Sequence, residues 1–148
     1  MSYDRADWHT DTCAEKGLPE ENAATHIAAY VRWCIQRNLI AEEFAREDSE
    51  ALDQVRKGEL SAAKYFDEYM DWKFGEWNLN DVGNQFTSAY YDSYLADLGI
   101  FFPNVVYGEW ESIDFDRLAS FLDAKFNEFK NGNLKVATRK RKSWWRFW

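Results

Sequence analysis

The stretch DFDRLASFLDAKFNEFKNG, residues 114–132, decides the fold class. Within it Phe115, Leu118, Ala119, Leu122, Phe126 and Phe129 recur at offsets 0, 3, 4, 7, 11 and 14, the spacing of a single apolar face on an α-helix. Asn131-Gly132 closes the run as a left-handed cap would. Upstream, Asn78 or Asn80 is a natural cap for a helix with Phe86, Ala89, Tyr90 and Tyr94 inward and Gly99 as its stop. Ser61 caps another, in which Ala62, Tyr65, Phe66, Tyr69 and Met70 repeat at offsets 0, 3, 4, 7 and 8. Residues 41–57 read as a weaker helix with Phe44, Ala51, Leu52 and Val55 inward, Gly58 as the stop, and a polar stretch from Arg46 to Glu50 able to break it. Pro19-Glu20-Glu21 opens the first helix, because proline suits a first turn and acids there oppose the positive end of the helix dipole. Ile27, Tyr30, Val31, Cys34 and Ile35 form its apolar face, and it ends near Asn38.

Between these runs lie two links, DWKFGEWNLN (71–80) and GIFFPNVVYGEWE (99–111). In the second, Pro103-Asn104 is turn-like and Val105-Val106-Tyr107 offers room for a brief extended piece. Strand is at most marginal. The expected architecture is all-α: a single-domain bundle of about five helices with an irregular link near residues 99–113. An acidic helical domain (1–132) precedes a basic, Trp-rich tail (133–148).

Composition agrees with a folded body. At 148 residues and 17.5 kDa, one core is expected, and 46% hydrophobic and 18% aromatic residues supply the burial that a disordered chain lacks. Two cysteines, Cys13 and Cys34, are too few for a disulfide framework, which points to free thiols in a reducing compartment. The first residues have no apolar segment of the signal-peptide kind and no apolar run is long enough to span a bilayer, so a cytoplasmic location is expected.

Charge is unevenly placed. Of 18 basic and 26 acidic side chains, Lys135, Arg139, Lys140, Arg141, Lys142 and Arg146 lie in residues 131–148, which hold no acid. Residues 1–130 therefore carry 12 basic groups against all 26 acids, a formal charge of −14, and the tail carries +6. Such a body repels phosphate backbones, so it is not expected to bind nucleic acid, and a partner with a basic face suits it better. Solubility alone is an alternative reason for an acidic surface. In the tail ATRKRKSWWRFW (137–148), a helical arrangement would spread Trp144, Trp145, Phe147 and Trp148 over an arc of about 160° opposite Arg146, at about 100° per residue. Docking on the acidic body or on a neighbouring protein is favoured for it; the alternative is an anionic membrane surface.

Catalytic and metal constellations are not expected. In Tyr3-Asp4-Arg5-Ala6-Asp7-Trp8-His9-Thr10-Asp11 the carboxylates lack the glycine bend and terminal glutamate of a calcium loop. The favoured reading buries the rings of Tyr3 and Trp8 and gathers Asp4, Arg5 and Asp7 into a local ion-pair knot. His9 and His26 are the only histidines, so a zinc site with several imidazoles is not expected from one chain. Glu21 and His26 do not form a Glu-x-x-His pair. Cys34 reads as buried packing, and Cys13 has no basic neighbour nearer than Lys16 to lower its pKa. The seven glycines are scattered, with no phosphate-binding loop among them. No catalytic residue, cofactor or metal is assigned.

Tyr3-Asp4-Arg5-Ala6-Asp7-Trp8-His9, Gly17-Leu18-Pro19, Ala23-Ala24-Thr25-His26-Ile27, Arg56-Lys57-Gly58-Glu59-Leu60, and Leu79-Asn80-Asp81-Val82-Gly83-Asn84-Gln85-Phe86 with Tyr90-Tyr91 resemble an uncharacterised family of small acidic bacterial proteins. The resemblance covers about residues 3–129. Such proteins look like immunity proteins of polymorphic toxin systems, which implies a cytoplasmic antitoxin that binds a cognate toxin domain and occludes its active site. The chain departs from the resemblance at DWKFGEWNLN, where Trp72, Phe74 and Trp77 replace a more polar link.

The expected function is therefore an immunity protein, not an enzyme, whose partner is a toxin with a basic face. The expected partner-binding residues are Asp71, Trp72, Glu76, Trp77, Glu109, Trp110 and Glu111, where acids alternate with indoles. The alternatives are a small helical enzyme that uses carboxylates, or a membrane-associated adaptor anchored by its tail.

Overall fold

The computed structural model describes residues 1–136. The tail from 137 onward, including the Trp-rich segment, lies outside the described residues. The described chain is mostly helical, with seven α-helices and one two-stranded sheet. In order these are β1 (Ser2–Arg5), α1 (Thr10–Glu15), α2 (Thr25–Gln36), α3 (Glu42–Glu47), α4 (Ser49–Lys57), α5 (Ala62–Met70), β2 (Lys73–Gly75), α6 (Asp81–Phe101) and α7 (Phe115–Lys130).

α2 is the central helix. Of its twelve residues only Arg32 and Gln36 escape full burial, as expected of a helix enclosed on nearly every side. It packs on α4, α5 and α7. Tyr30 sits among Trp33, Phe74, Tyr91 and Tyr94 with ring centroids 5.0–5.8 Å apart, and Trp33 carries the aromatic core on to Phe86 and Phe126. These tilted and edge-to-face contacts are the preferred arrangements of aromatic quadrupoles.

Several expected punctuation marks are in place. Ser61 accepts from the Lys64 N–H at 3.1 Å and Asn80 from the Gly83 N–H at 2.8 Å, satisfying donors that the helix ladder cannot reach. Gly58 and Gly132 both have φ of 77°, the left-handed conformation that ends α4 and follows α7. The polar stretch Arg46–Glu50 does break its helix, giving α3 and α4.

Other expectations are corrected. Gly99 does not stop α6, which runs on to Phe101 because the buried Leu98 and Phe102 hold that end down. Val105 belongs to a 3-10 turn, Pro103–Val105, rather than to an extended piece. Tyr69 is 45% exposed, stacked on Tyr65 instead of entering the core. The sheet pairs β1 with β2 antiparallel, Asp4 opposite Phe74 and Arg5 opposite Lys73, with a register irregularity between Ser2 and Asp4. Strands this short show no alternation, and their pairing is fixed by contacts distant in sequence. Beyond α7, Leu134 and Val136 still pack against the core.

No helix among the described residues is long and apolar enough to cross a membrane.

Candidate functional site

Two features stand out, a buried polar cluster at the N-terminus and an acidic groove beside it. The cluster centres on Asp4. β1 carries this carboxylate into the interior, where Oδ1 accepts from His9 Nε2 at 2.7 Å and from the Arg5 backbone N–H at 2.9 Å. Oδ2 accepts from His26 Nε2 at 3.0 Å and from the Tyr91 hydroxyl at 2.8 Å. His9 Nδ1 lies 2.7 Å from the Tyr107 hydroxyl, and His26 Nδ1 is buried without a partner among the described residues. Burial pushes the Asp4 carboxyl up, but the hydrogen bonds from His26 and His9 outweigh it and hold the group well below the usual carboxylate range. Burial is also the leading influence on His26, lowering it against the opposing pull of Asp4.

The sequence expectations here need correction. Trp8 is 56% exposed rather than buried. Arg5 does pair with Asp7, at 2.9 Å, but Asp4 stands apart from that pair and turns inward to the imidazoles. The two histidines, 17 residues apart in the sequence, meet at one carboxylate, their rings edge to face with centroids 4.6 Å apart. A usable signal was His26 itself. It lies in the apolar run AATHIAAY, where a polar side chain at a buried position requires a partner.

Tyr107 is set in place by a strained loop. Its φ is 56°, a conformation that a bulky residue adopts at a cost of about 1–3 kcal/mol. The loop is held by Asn22 Nδ2 donating to the Tyr107 carbonyl at 3.0 Å and the Thr25 hydroxyl donating to the Gly108 carbonyl at 2.7 Å.

The groove, about 610 Å³, runs between the segment preceding α2, α5 and the link before α7. Glu21, Asp67, Glu68, Glu109 and Glu111 line it against a single cation, Lys64, which pairs with Glu68 at 3.9 Å. Among the described residues the other four carboxylates have no ion-pair partner. Two half-buried indoles, Trp72 and Trp110, complete the wall. Trp72 is the second bulky residue with positive φ, 58°, following Asp71 at 54°. Its N–H donates to the Phe66 carbonyl at 3.1 Å and its carbonyl accepts from the Ala6 N–H at 3.0 Å, which fixes the turn that presents the ring.

Of the seven expected partner-binding residues, the structure brings Trp72, Glu109, Trp110 and Glu111 together in the groove. Asp71 borders a smaller depression of about 230 Å³ on the other side of Trp72. Glu76 and Trp77 border neither. Glu76 pairs with the Met1 amino group at 2.8 Å, and the Trp77 ring lies over Gly75, where any Cβ would strike it. Glu21, Asp67 and Glu68 were missed because they come from helix faces that read simply as solvated.

Both cysteines are buried, and burial pushes the Cys34 thiol well up, so neither offers a thiolate.

No curated protein and no solved structure matches the chain. A family model, described as a domain of unknown function (DUF7832), matches residues 2–107, a span that holds Asp4, His9, His26, Tyr91 and Tyr107 but stops short of Glu109, Trp110 and α7. The chain belongs to this family.

Proposed function

We propose that the protein is a cytoplasmic immunity protein that binds a cognate toxin domain and blocks its active site by taking a basic segment of it into the acidic groove. The observation that carries this reading is the groove's composition: five carboxylates against one lysine, flanked by Trp72 and Trp110. A lysine or arginine entering there meets carboxylates at close range and aromatic faces suited to cation–π contact. Toxins that act on nucleic acids or nucleotides hold their substrates with cationic groups, and occluding those groups removes activity without any catalysis by the antidote. The acids would mainly raise the rate of encounter, and the indoles would slow dissociation once desolvated.

Co-expression with the toxin domain encoded beside it tests the proposal. The protein should rescue growth and co-purify with the toxin. Charge reversal at Glu109 and Glu111 should slow association and weaken its salt dependence, whereas Trp110→Ala should chiefly speed dissociation. Rescue without a physical complex would overturn direct occlusion and favour an enzymatic antidote.

A further inference from the structure

The geometry points to a divalent transition-metal site of the zinc type formed by His9 Nε2, His26 Nε2 and a carboxylate oxygen of Asp4. One donor atom from each of these three residues lies within 4.8 Å of the other two, and Nε2 is the nitrogen that each histidine turns to Asp4. Two imidazoles and one carboxylate match the preference of zinc and related first-row ions, whereas magnesium and calcium favour sets made of oxygen alone.

Three further observations support a cation here. Asp4 is a buried carboxylate with no lysine or arginine side chain paired to it among the described residues, since Arg5 turns to Asp7. The ligands come from separate, well-anchored parts of the fold: β1, the turn before α1, and the first turn of α2. An outer layer already orients them, with Tyr107 on His9 Nδ1 and with Tyr91 and the Arg5 N–H on Asp4. Such outer partners set ring orientation in metal sites.

The proton bookkeeping is simple. In the bound state each imidazole is neutral with its proton on Nδ1 and Asp4 is ionised, and any second ring proton is released to solvent. His9 Nδ1–H then donates to the Tyr107 oxygen, 2.7 Å away. His26 Nδ1–H then has no partner among the described residues, the one outer contact that the site lacks. Around a four-coordinate ion, neighbouring ligand atoms sit about 3.3 Å apart. The imidazoles now sit 2.7 and 3.0 Å from different oxygens of the carboxylate, so the carboxylate must turn, or both rings must swing, before all three donors share one ion. His9, 15% exposed, marks the side from which a fourth ligand such as water can reach the ion.

The experiment uses the full chain, untagged and stripped with a chelator, and titrates it with Co2+ and with Zn2+. One equivalent of Co2+ should give the intense visible d–d absorption of a four-coordinate ion, Zn2+ should displace it, and Zn2+ should raise the melting temperature. His9→Gln, checked for native circular dichroism, should lose both responses. Tyr107→Phe keeps every ligand and should weaken Co2+ binding by about 10–100-fold, and it serves as the deciding variant if His9→Gln fails to fold. Glu109→Gln, in the acidic groove and away from the three ligands, should leave both metal responses unaltered. Absence of the band and of the thermal shift in the wild-type protein overturns the site. So do responses unaltered in both His9→Gln and Tyr107→Phe, or responses lost in Glu109→Gln, which would mark ions adsorbed on surface acids.

Discussion

The phenol of Tyr30 meets the hydroxyl of Thr87 at 2.9 Å, with both side chains buried at the junction of α2 and α6. Nearby, the Tyr90 hydroxyl donates to Asp97 at 2.7 Å, also in the interior. Burial pushes the Tyr30 phenol well above its ordinary value of 10.0, and burial followed by the hydrogen bond to Asp97 does the same for Tyr90. The unfolded chain releases these protons near pH 10 while the folded chain keeps them. Stability is therefore fully present below that pH and is lost as pH rises through it. The expected outcome is a urea midpoint that falls above about pH 9.5 and a tyrosinate absorbance that appears together with unfolding. Ionisation of all eight tyrosines while circular dichroism remains native would contradict the packing described.

Gly108 is fixed by contact. A Cβ built there would fall on the Asn104 carbonyl, a backbone atom that cannot swing aside as a long side chain could. Gly108→Ala should therefore shift the loop and cost about 1–3 kcal/mol, the range of an overpacked site. The same shift should pull Tyr107 from His9. Chemical denaturation gives the cost, and the His9 ring signals in NMR should move even though the substitution touches neither ring. Unchanged stability and unchanged His9 signals would show that the loop can relax around the methyl group.

The legible parts of this fold are those in which neighbours in space are three or four residues apart. The offsets of Ile27 to Ile35 and of Phe115 to Phe129 become the inner faces of α2 and α7, and Ser61 and Asn80 cap as short polar side chains do. Gly99 misled because a glycine within a helix costs only about 1 kcal/mol relative to alanine, less than the burial of Leu98 and Phe102 returns. The pairing of Ser2–Arg5 with Lys73–Gly75 left no local trace, and of the Asp4, His9 and His26 cluster that it permits only His26, a polar residue in an apolar run, gave one. In the groove, Trp72, Glu109, Trp110 and Glu111 were readable as acids beside indoles, whereas Glu76 and Trp77 have the same composition and face elsewhere. Composition indicates what a link can do, and only the tertiary closure decides where it points.

The family segment ends at Tyr107, but the core does not. Trp33 and Phe86 are fully buried, and both rest on Phe126 of α7 with ring centroids 5.6 and 5.2 Å away. Trp33 Nε1 also donates to Asp123 at 2.9 Å, and Arg37 grips the same carboxylate through two bonds of 2.7 Å. A chain cut after Tyr107 would bare Trp33 and Phe86 and lose the burial of Leu118 and Leu122. At roughly 1.5–3 kcal/mol for each large apolar side chain, that loss is comparable to the whole stability of a small domain. Such a truncation should show no cooperative melt. A chain ending at Val136 keeps α7 together with Leu134 and Val136, which pack against the core, so it should retain its helical circular dichroism and melt within a few degrees of the full chain. Asp123→Ala in the full chain should fall between the two, costing about 1–2 kcal/mol as Trp33 loses its acceptor at a half-exposed site that water can partly replace. If the chain ending at Tyr107 melts cooperatively, α7 is an appendage to a self-sufficient domain; if the one ending at Val136 collapses, residues 137–148 are needed by the core.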